Sequence, residues 1–237
     1  MTNYRETLYS KYYSNQICAT VADEVWTRKV FSEEILSHLS GFEAKSIGEL
    51  GCGHGNLLSF LRKKGFQQVQ GCDLSLEQVE LAQKKGLNVV QQDAFSFLDR
   101  QENWDAIVAI DVMEHLTKDE AVLLILKFKM KLRQGGKVVI RIPNADAAVG
   151  GSFLWSDFTH ELFLNAASAV QLFQSCGFSD IQVLGSYSKA RGWKQLFSIP
   201  LRVLIELKIR LTHLAYGVGS SGKIWTPNLI IVAQKTQ

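Results

Sequence analysis

The sequence predicts an α/β fold, a doubly wound and mostly parallel sheet, and three observations carry the prediction. Five short apolar runs, at 46–50, 68–73, 87–90, 104–110 and 137–142, alternate with stretches whose apolar residues recur every three or four positions. Three glycines, Gly51, Gly53 and Gly55, separate the first run from the first such stretch. Polar residues then close the runs, with Asp73, Asp93, Asp111 and Asn144 at or just past their ends. Parallel strands end on one edge of a sheet, where ligands bind, so these residues belong to one site.

The elements follow in order. Residues 2–16 are polar and tyrosine-rich, and 20–39 carry Val21, Val25, Trp26, Val30, Phe31, Ile35 and Leu39 as a helical stripe, so 1–40 read as an N-terminal helical region. After the glycines, which let backbone approach a ligand, Leu57, Leu58, Phe60 and Leu61 begin a helix whose first N–H groups favour an anion. Asp73 ends the second strand about 20 residues past the glycines, where such folds place an acid on ribose hydroxyls. Ser75 and Gln78 make a capping box for the next helix, which stops at Lys84-Lys85-Gly86. The run 104–110 is almost wholly apolar, as a strand covered on both faces requires. Thr117 and Glu120 cap a long helix whose last turns carry Lys127, Lys129, Lys131 and Arg133, and Gly135-Gly136 end it.

Composition bounds the function. A chain of 237 residues with 46% hydrophobic content forms one domain, 1–237, with a sizeable core. The net charge of +3 is too mild for a general nucleic-acid binder. Residues 1–10 lack the apolar core of a signal peptide, and no run reaches the roughly 18 apolar residues of a membrane span. Cys18, Cys52, Cys72 and Cys176 form no CxxC pair, which points to reduced thiols in a cytoplasm.

Glu49-Leu50-Gly51-Cys52-Gly53-His54-Gly55, Asp73, Asp93-Ala94, Asp111-Val112-Met113-Glu114-His115 and Gly135-Gly136 through Pro143-Asn144 together resemble the ubiquinone-biosynthesis-like branch of class I S-adenosylmethionine-dependent methyltransferases. The third glycine falls at Gly55 instead of position 56, which separates this loop from the dinucleotide fingerprint. A shorter stretch, Trp155-Ser156-Asp157-Phe158-Thr159-His160-Glu161, is similar to methyltransferases of bacterial surface-polysaccharide clusters. The resemblance implies a Rossmann-like seven-stranded sheet with an antiparallel last strand, 181–184 and 228–232 being the sixth and seventh strands. It implies S-adenosylmethionine as cofactor, held by Glu49, Gly51, Cys52, Gly53 and Gly55, by Asp73 and Leu74, by Asp93 and Ala94, and by Asp111 and Val112. The region 1–40, with Tyr13, is expected to fold over that cofactor as a lid.

Methyl transfer from a sulfonium is an in-line displacement, so alignment and desolvation supply most of the rate. A hydroxyl acceptor must also lose a proton, which a base titrating near neutrality takes best. His160 is the leading base, with Asp157 three residues earlier to orient it, and His115 is its competitor. Asp111, Glu114, His115 and His160 partly resemble a cluster with which some relatives bind a divalent cation, an ion that would lower the hydroxyl's pKa. Metal-free base catalysis is the expectation.

The stretch 187–224 departs from the family pattern as an insertion between the last two strands. It carries seven basic residues against the one acid Glu206, a local charge of +6 that leaves −3 for the rest of the chain. Pro200 and Gly217 bound a helix in which Arg202, Glu206, Arg210 and His213 make a narrow polar stripe amid Leu, Ile and Val. Such a surface calls for burial against the domain, a homodimer, or a membrane of acidic lipids, and its position predicts a lid over the acceptor side. The leading function is O-methylation of a hydroxyl on a sugar, glycan or glycolipid intermediate, in the cytoplasm or at the inner face of the membrane. Rivals are methylation of a quinone precursor or other phenol, and a non-catalytic membrane-surface partner, against which the intact glycine set argues. No nucleic-acid partner is expected, because the basic stretch lacks interleaved exposed aromatics.

Overall fold

The computed structural model describes residues 8, 30–43, 45–101, 103–186, 198–219 and 223–236. One sheet of seven strands organises them: β1 (Ser46–Leu50), β2 (Gln68–Asp73), β3 (Val89–Gln91), β4 (Trp104–Ile110), β5 (Leu132–Pro143), β6 (Asp180–Gly185) and β7 (Asn228–Gln234). Their order is β3-β2-β1-β4-β5-β7-β6. β1 to β5 pair in parallel, and β7 runs antiparallel between β5 and β6, as the resemblance implies. Neighbouring β1 and β4 mark the point where the order reverses, and crossovers leaving to opposite faces there open a crevice at the strands' carboxyl ends.

The helices are α1 (Asn56–Lys63), α2 (Leu76–Lys84), α3 (Ala94–Leu98), α4 (Lys118–Lys131), α5 (Gly150–Leu154), α6 (Ala166–Ser175) and α7 (Ser198–Ala215). One face of the sheet packs Phe97, Trp104, Phe128 and Phe173, and the other packs Ile35, Leu57, Leu61 and Phe66. With apolar layers on both sides, β1 and β7 are buried along most of their length, which explains their near-continuous apolar sequence.

Several local expectations need correction. Thr117 and Glu120 do form a reciprocal capping box on α4, but that helix ends at Lys131. Leu132 is already extended and buried beside Trp104, so Arg133 and Gly135-Gly136 belong to β5. Ser75 caps α2 through the Gln78 N–H, while the Gln78 side chain turns away to His54 Nδ1 at 3.1 Å. Within 20–39 the described part is one π-helical turn, Phe31–Ile35, followed by a 3-10 turn, Leu36–His38, with Ile35 and Leu39 in the core. Residues 1–7 and 9–29 of the expected lid, Tyr13 included, lie outside the described residues, as do 187–197 and 220–222 of the insertion.

Candidate active site

The loop after β1 is built by exclusion. Gly51 has φ +62°, and a Cβ there would stand 2.5 Å from Val112 Cγ2, so only glycine lets this loop press against the end of β4. Gly55, at φ +78°, meets Leu87 in the same way, with 2.2 Å from a built Cβ to Leu87 Cδ1. From the end of β2, Asp73 ties the loop down: Oδ2 accepts the Gly53 N–H at 2.8 Å and Oδ1 the Ser75 N–H at 2.9 Å. Burial raises its carboxyl, and those backbone bonds pull against the rise.

A cavity of about 450 Å³ opens beside this loop, within the usual range for a small-molecule site. Of the residues expected at the cofactor, Gly51, Gly53, Asp73, Leu74, Asp93, Ala94, Asp111 and Val112 line it. His115 lines it too. Glu49, Cys52 and Gly55 do not. Glu49 and Cys52 lie buried beneath the loop, and Cys52 packs where a side chain at Gly71 would stand. Their part is to support the loop from below. Asp93 caps α3, its Oδ1 accepting the Phe95 and Ser96 N–H groups at 2.9 and 3.0 Å, so one carboxylate oxygen serves the turn while the residue edges the cavity.

Asp111 is the only non-glycine with positive φ among the described residues, at +53°. It is held there by its N–H, which donates to the Arg141 carbonyl at 3.0 Å, and by an ion pair to the Arg141 guanidinium. Arg141 also pairs with buried Glu34 at 3.1 Å, and Glu34 accepts the Ser186 hydroxyl. An acid–arginine–acid line, buried at Glu34 and open at Asp111, therefore joins the N-terminal turn to the cavity wall.

Past β5, the segment carrying Asp157 and His160 does not itself line the cavity but packs behind His115, because the Glu114 carbonyl accepts the N–H groups of Glu161 at 2.7 Å and Leu162 at 3.0 Å. That clamp sets the rings of His115 and His160 edge to face, with centroids 4.9 Å apart. Asp157 does not orient His160. Its Oδ1 accepts the Thr159 hydroxyl at 2.7 Å, and the Thr159 oxygen lies 2.8 Å from His115 Nδ1. His160 Nδ1 instead lies 2.8 Å from the Leu154 carbonyl.

Residues 26–183 match the methyltransferase domain family. The chain belongs to that family. Its fold is that of the class I S-adenosylmethionine-dependent methyltransferases. A methyltransferase of that kind from Archaeoglobus fulgidus superposes with a TM-score of 0.68 at 18% identity, over 97% of this chain and 99% of that one. Phosphoethanolamine N-methyltransferase 2 of Haemonchus contortus, solved with S-adenosylmethionine, gives 0.62 at 16% identity, over all of this chain and 61% of that one. A probable tRNA methyltransferase 9B of Mus musculus is 29% identical over 97 residues, 40% of this chain. The methyltransferase spans only 21% of that relative's length.

Proton positions in the methyltransferase's histidine pair follow from its partners. A hydroxyl has one proton, and Thr159 gives it to Asp157, so its oxygen accepts from His115 Nδ1–H and the imidazole lone pair falls on Nε2. The Leu154 carbonyl can only accept, which puts the His160 lone pair on Nε2 as well. Burial, then the neighbouring His160, lowers the His115 pKa below the ordinary imidazole value. Glu114 is 1% exposed, and its Oε2 has no hydrogen-bond partner. Burial, then the charge of Asp111, holds its carboxyl well above the usual range. Ligating atoms of Glu114, His115 and His160 lie within 4.8 Å of one another. Asp111, the fourth member expected in that cluster, is engaged by Arg141. The sequence reading passed over Gln92, Phe95, Leu116 and Glu120, which also line the cavity. Gln92 and Phe95 flank Asp93, so extending each motif by two residues would have found them.

Proposed function

We propose that the chain transfers a methyl group from S-adenosylmethionine to a hydroxyl of a sugar, glycan or glycolipid intermediate, with His115 as general base. The observation that carries this reading is the line from Asp157 through Thr159 to His115 at the wall of the cavity. Bound S-adenosylmethionine supplies an electrophilic methyl group. The glycine loop lets the backbone come close to the cofactor, Asp73 has lone pairs left for ribose hydroxyls, and Asp93 stands on the adenine side. His115 takes the acceptor's proton on Nε2, and the charge that forms on the ring is met by the Thr159 oxygen and, behind it, by the Asp157 carboxylate. The base proposed here is thus His115, where the sequence alone favoured His160 oriented by Asp157.

A sugar acceptor is favoured by the surface next to this line. Trp155 is 70% and Phe158 84% exposed, on either side of Asp157 in the chain. Aromatic faces carry negative charge density and attract the polarised C–H groups of a sugar ring. The same segment is the one similar to surface-polysaccharide methyltransferases. A screen of glycan, lipid-linked glycan and phenolic acceptors with a labelled methyl donor tests the reading. Turnover of glycans is expected, and turnover of phenols alone would overturn the acceptor class.

A second reading rests on the orphaned Glu114 Oε2. Glu114, His115 and His160 supply the carboxylate and imidazole donors that suit a divalent cation, which would lower the acceptor hydroxyl's pKa in place of a base. Activity lost on chelation and restored by a divalent cation would favour it over base catalysis.

A further inference from the structure

The helix of the insertion faces the opposite way from an ordinary amphipathic helix. Ser198, Glu206, Ile209 and His213, on one side of α7, are its less exposed residues, so the side that carries Glu206 and His213 of the polar stripe faces the body of the protein, while Arg202 and Arg210 at the stripe stay exposed. Trp225 receives that side: Arg210 lies over its ring at 4.7 Å, and the His213 ring is 6.3 Å from it. The opposite line is apolar and open, with Val203 60%, Leu207 50%, Leu211 56% and Leu214 77% exposed. No residue of α7 is buried, so of the three covers the sequence left open, burial against the domain is not the one seen. Nor do any of its residues line the cavity, which removes the lid over that space from the described part of the insertion.

Charge decides what covers this face. At 100° per residue, Val203, Leu214, Leu207, Leu211 and Leu204 fill one continuous arc, with Arg210 at one edge and Lys208 at the other. The helix's single acid, Glu206, sits on the body side. An apolar arc flanked by basic side chains suits lipid, in which the stems of arginine and lysine lie along the apolar region while their heads reach anionic headgroups. A second copy suits it less, because symmetric pairing of two such arcs sets basic edge against basic edge. No helix of the described residues is long and apolar enough to cross a membrane, so α7 would lie on the surface.

We propose that α7 seats the protein on an anionic lipid surface, with Val203, Leu207, Leu211 and Leu214 in the boundary between headgroups and acyl chains. The helix is fixed at the edge of the sheet that carries the cavity. The Trp225 carbonyl accepts the Ala148 N–H just past β5, and the Asn144 side chain at the end of β5 donates to the carbonyls of Ile224 and Thr226. Seated this way, α7 holds at the lipid surface the sheet edge on which the crevice opens. An acceptor carried on a lipid would then reach it without leaving the surface, a consequence that rests on the acceptor class proposed above.

Vesicle co-sedimentation of the full chain tests the proposal, using phosphatidylcholine alone and phosphatidylcholine with phosphatidylglycerol, at low and high salt. The intact protein is expected to sediment with the anionic vesicles at low salt and to be released by high salt. Exchange of Leu207, Leu211 and Leu214 for serine should weaken binding by about a hundredfold. Lys208→Gln should weaken it by about fivefold, and both variants should melt like the intact protein because the side chains are exposed. No sedimentation with any vesicle would overturn the proposal. So would binding that ignores the three serines, or a dimer in analytical ultracentrifugation that those serines dissociate while vesicles bind neither form. Methyl transfer to a water-soluble acceptor should be unchanged in the serine variant, so failure here leaves the proposed chemistry standing.

Discussion

The Thr159 hydroxyl lies between Asp157 and His115, donating to the carboxylate at 2.7 Å and standing 2.8 Å from Nδ1 of the ring. A buried threonine, 3% exposed, thus fixes the tautomer of a histidine 44 positions earlier in the chain. Thr159→Val keeps the shape and removes both bonds. Stability should fall by about 1–3 kcal/mol, because the buried Nδ1–H loses its acceptor. In methyl-transfer assays kcat should fall by about one to two orders of magnitude with KM little changed, and Thr159→Ser should restore most of it. Equal losses in the valine and serine variants would show that the methyl group matters instead of the hydroxyl.

The pH profile follows from the His115 shift. A base must be unprotonated, and burial followed by the neighbouring His160 lowers the His115 pKa, so the acidic limb of kcat should fall below the ordinary imidazole value of about 6.5. Removing a neighbour that lowers the pKa lets it rise, so His160→Gln should move that limb to higher pH. The stability sign agrees. With a folded pKa below the unfolded one, His115 contributes stability above about pH 6.5 that is lost as pH falls toward the folded value. Rates across pH for the two proteins, and melts of each, measure this; an unmoved limb would remove His115 as the titrating group.

Glu49 stores instability beneath the glycine loop. It is 4% exposed, and its Oε2 has no hydrogen-bond partner. Burial, then the charge of Asp73, holds its carboxyl well above the usual range. A folded pKa above the unfolded one means that folding is penalised as pH rises past about 4.3. Glu49→Gln should therefore raise the melting temperature more at neutral than at acid pH, by about 1–2 kcal/mol of stability at neutrality. Melts at several pH values check it, and a gain independent of pH would contradict the assignment.

Asp73 serves the loop and the proposed cofactor together. Asp73→Ala frees the Gly53 and Ser75 N–H groups and removes the carboxylate meant for the ribose. Calorimetry should show S-adenosylmethionine binding weakened by roughly 1–3 kcal/mol. Affinity equal to that of the intact protein would separate Asp73 from the cofactor.

The centre of the sheet was legible because the burial of its strands writes itself into the sequence, while the partly exposed β6 was placed by the resemblance. The run 104–110 is apolar since β4 is covered on both faces, and Asp73 closes β2 where the spacing placed it. The catalytic pairing was not legible. Spacing of three residues suggests one helical face for Asp157 and His160, yet this segment is a turn in which the Thr159 N–H bonds Asp157 Oδ1 at 2.8 Å and draws the carboxylate back. Contact between Thr159 and His115 depends on the Glu114 clamp, which no local pattern encodes. Periodicity likewise revealed the stripe of Arg202, Glu206, Arg210 and His213, but Trp225 decides which way it faces.

The most direct test of the account compares His115→Ala with His160→Ala in single-turnover methyl transfer to the best acceptor from the screen, beside S-adenosylmethionine affinity for each. With His115 as the base, His115→Ala should lose about two to four orders of magnitude in rate with affinity unchanged, and His160→Ala less than about tenfold. A His115→Ala enzyme that keeps its rate, while His160→Ala loses its own, would contradict the account.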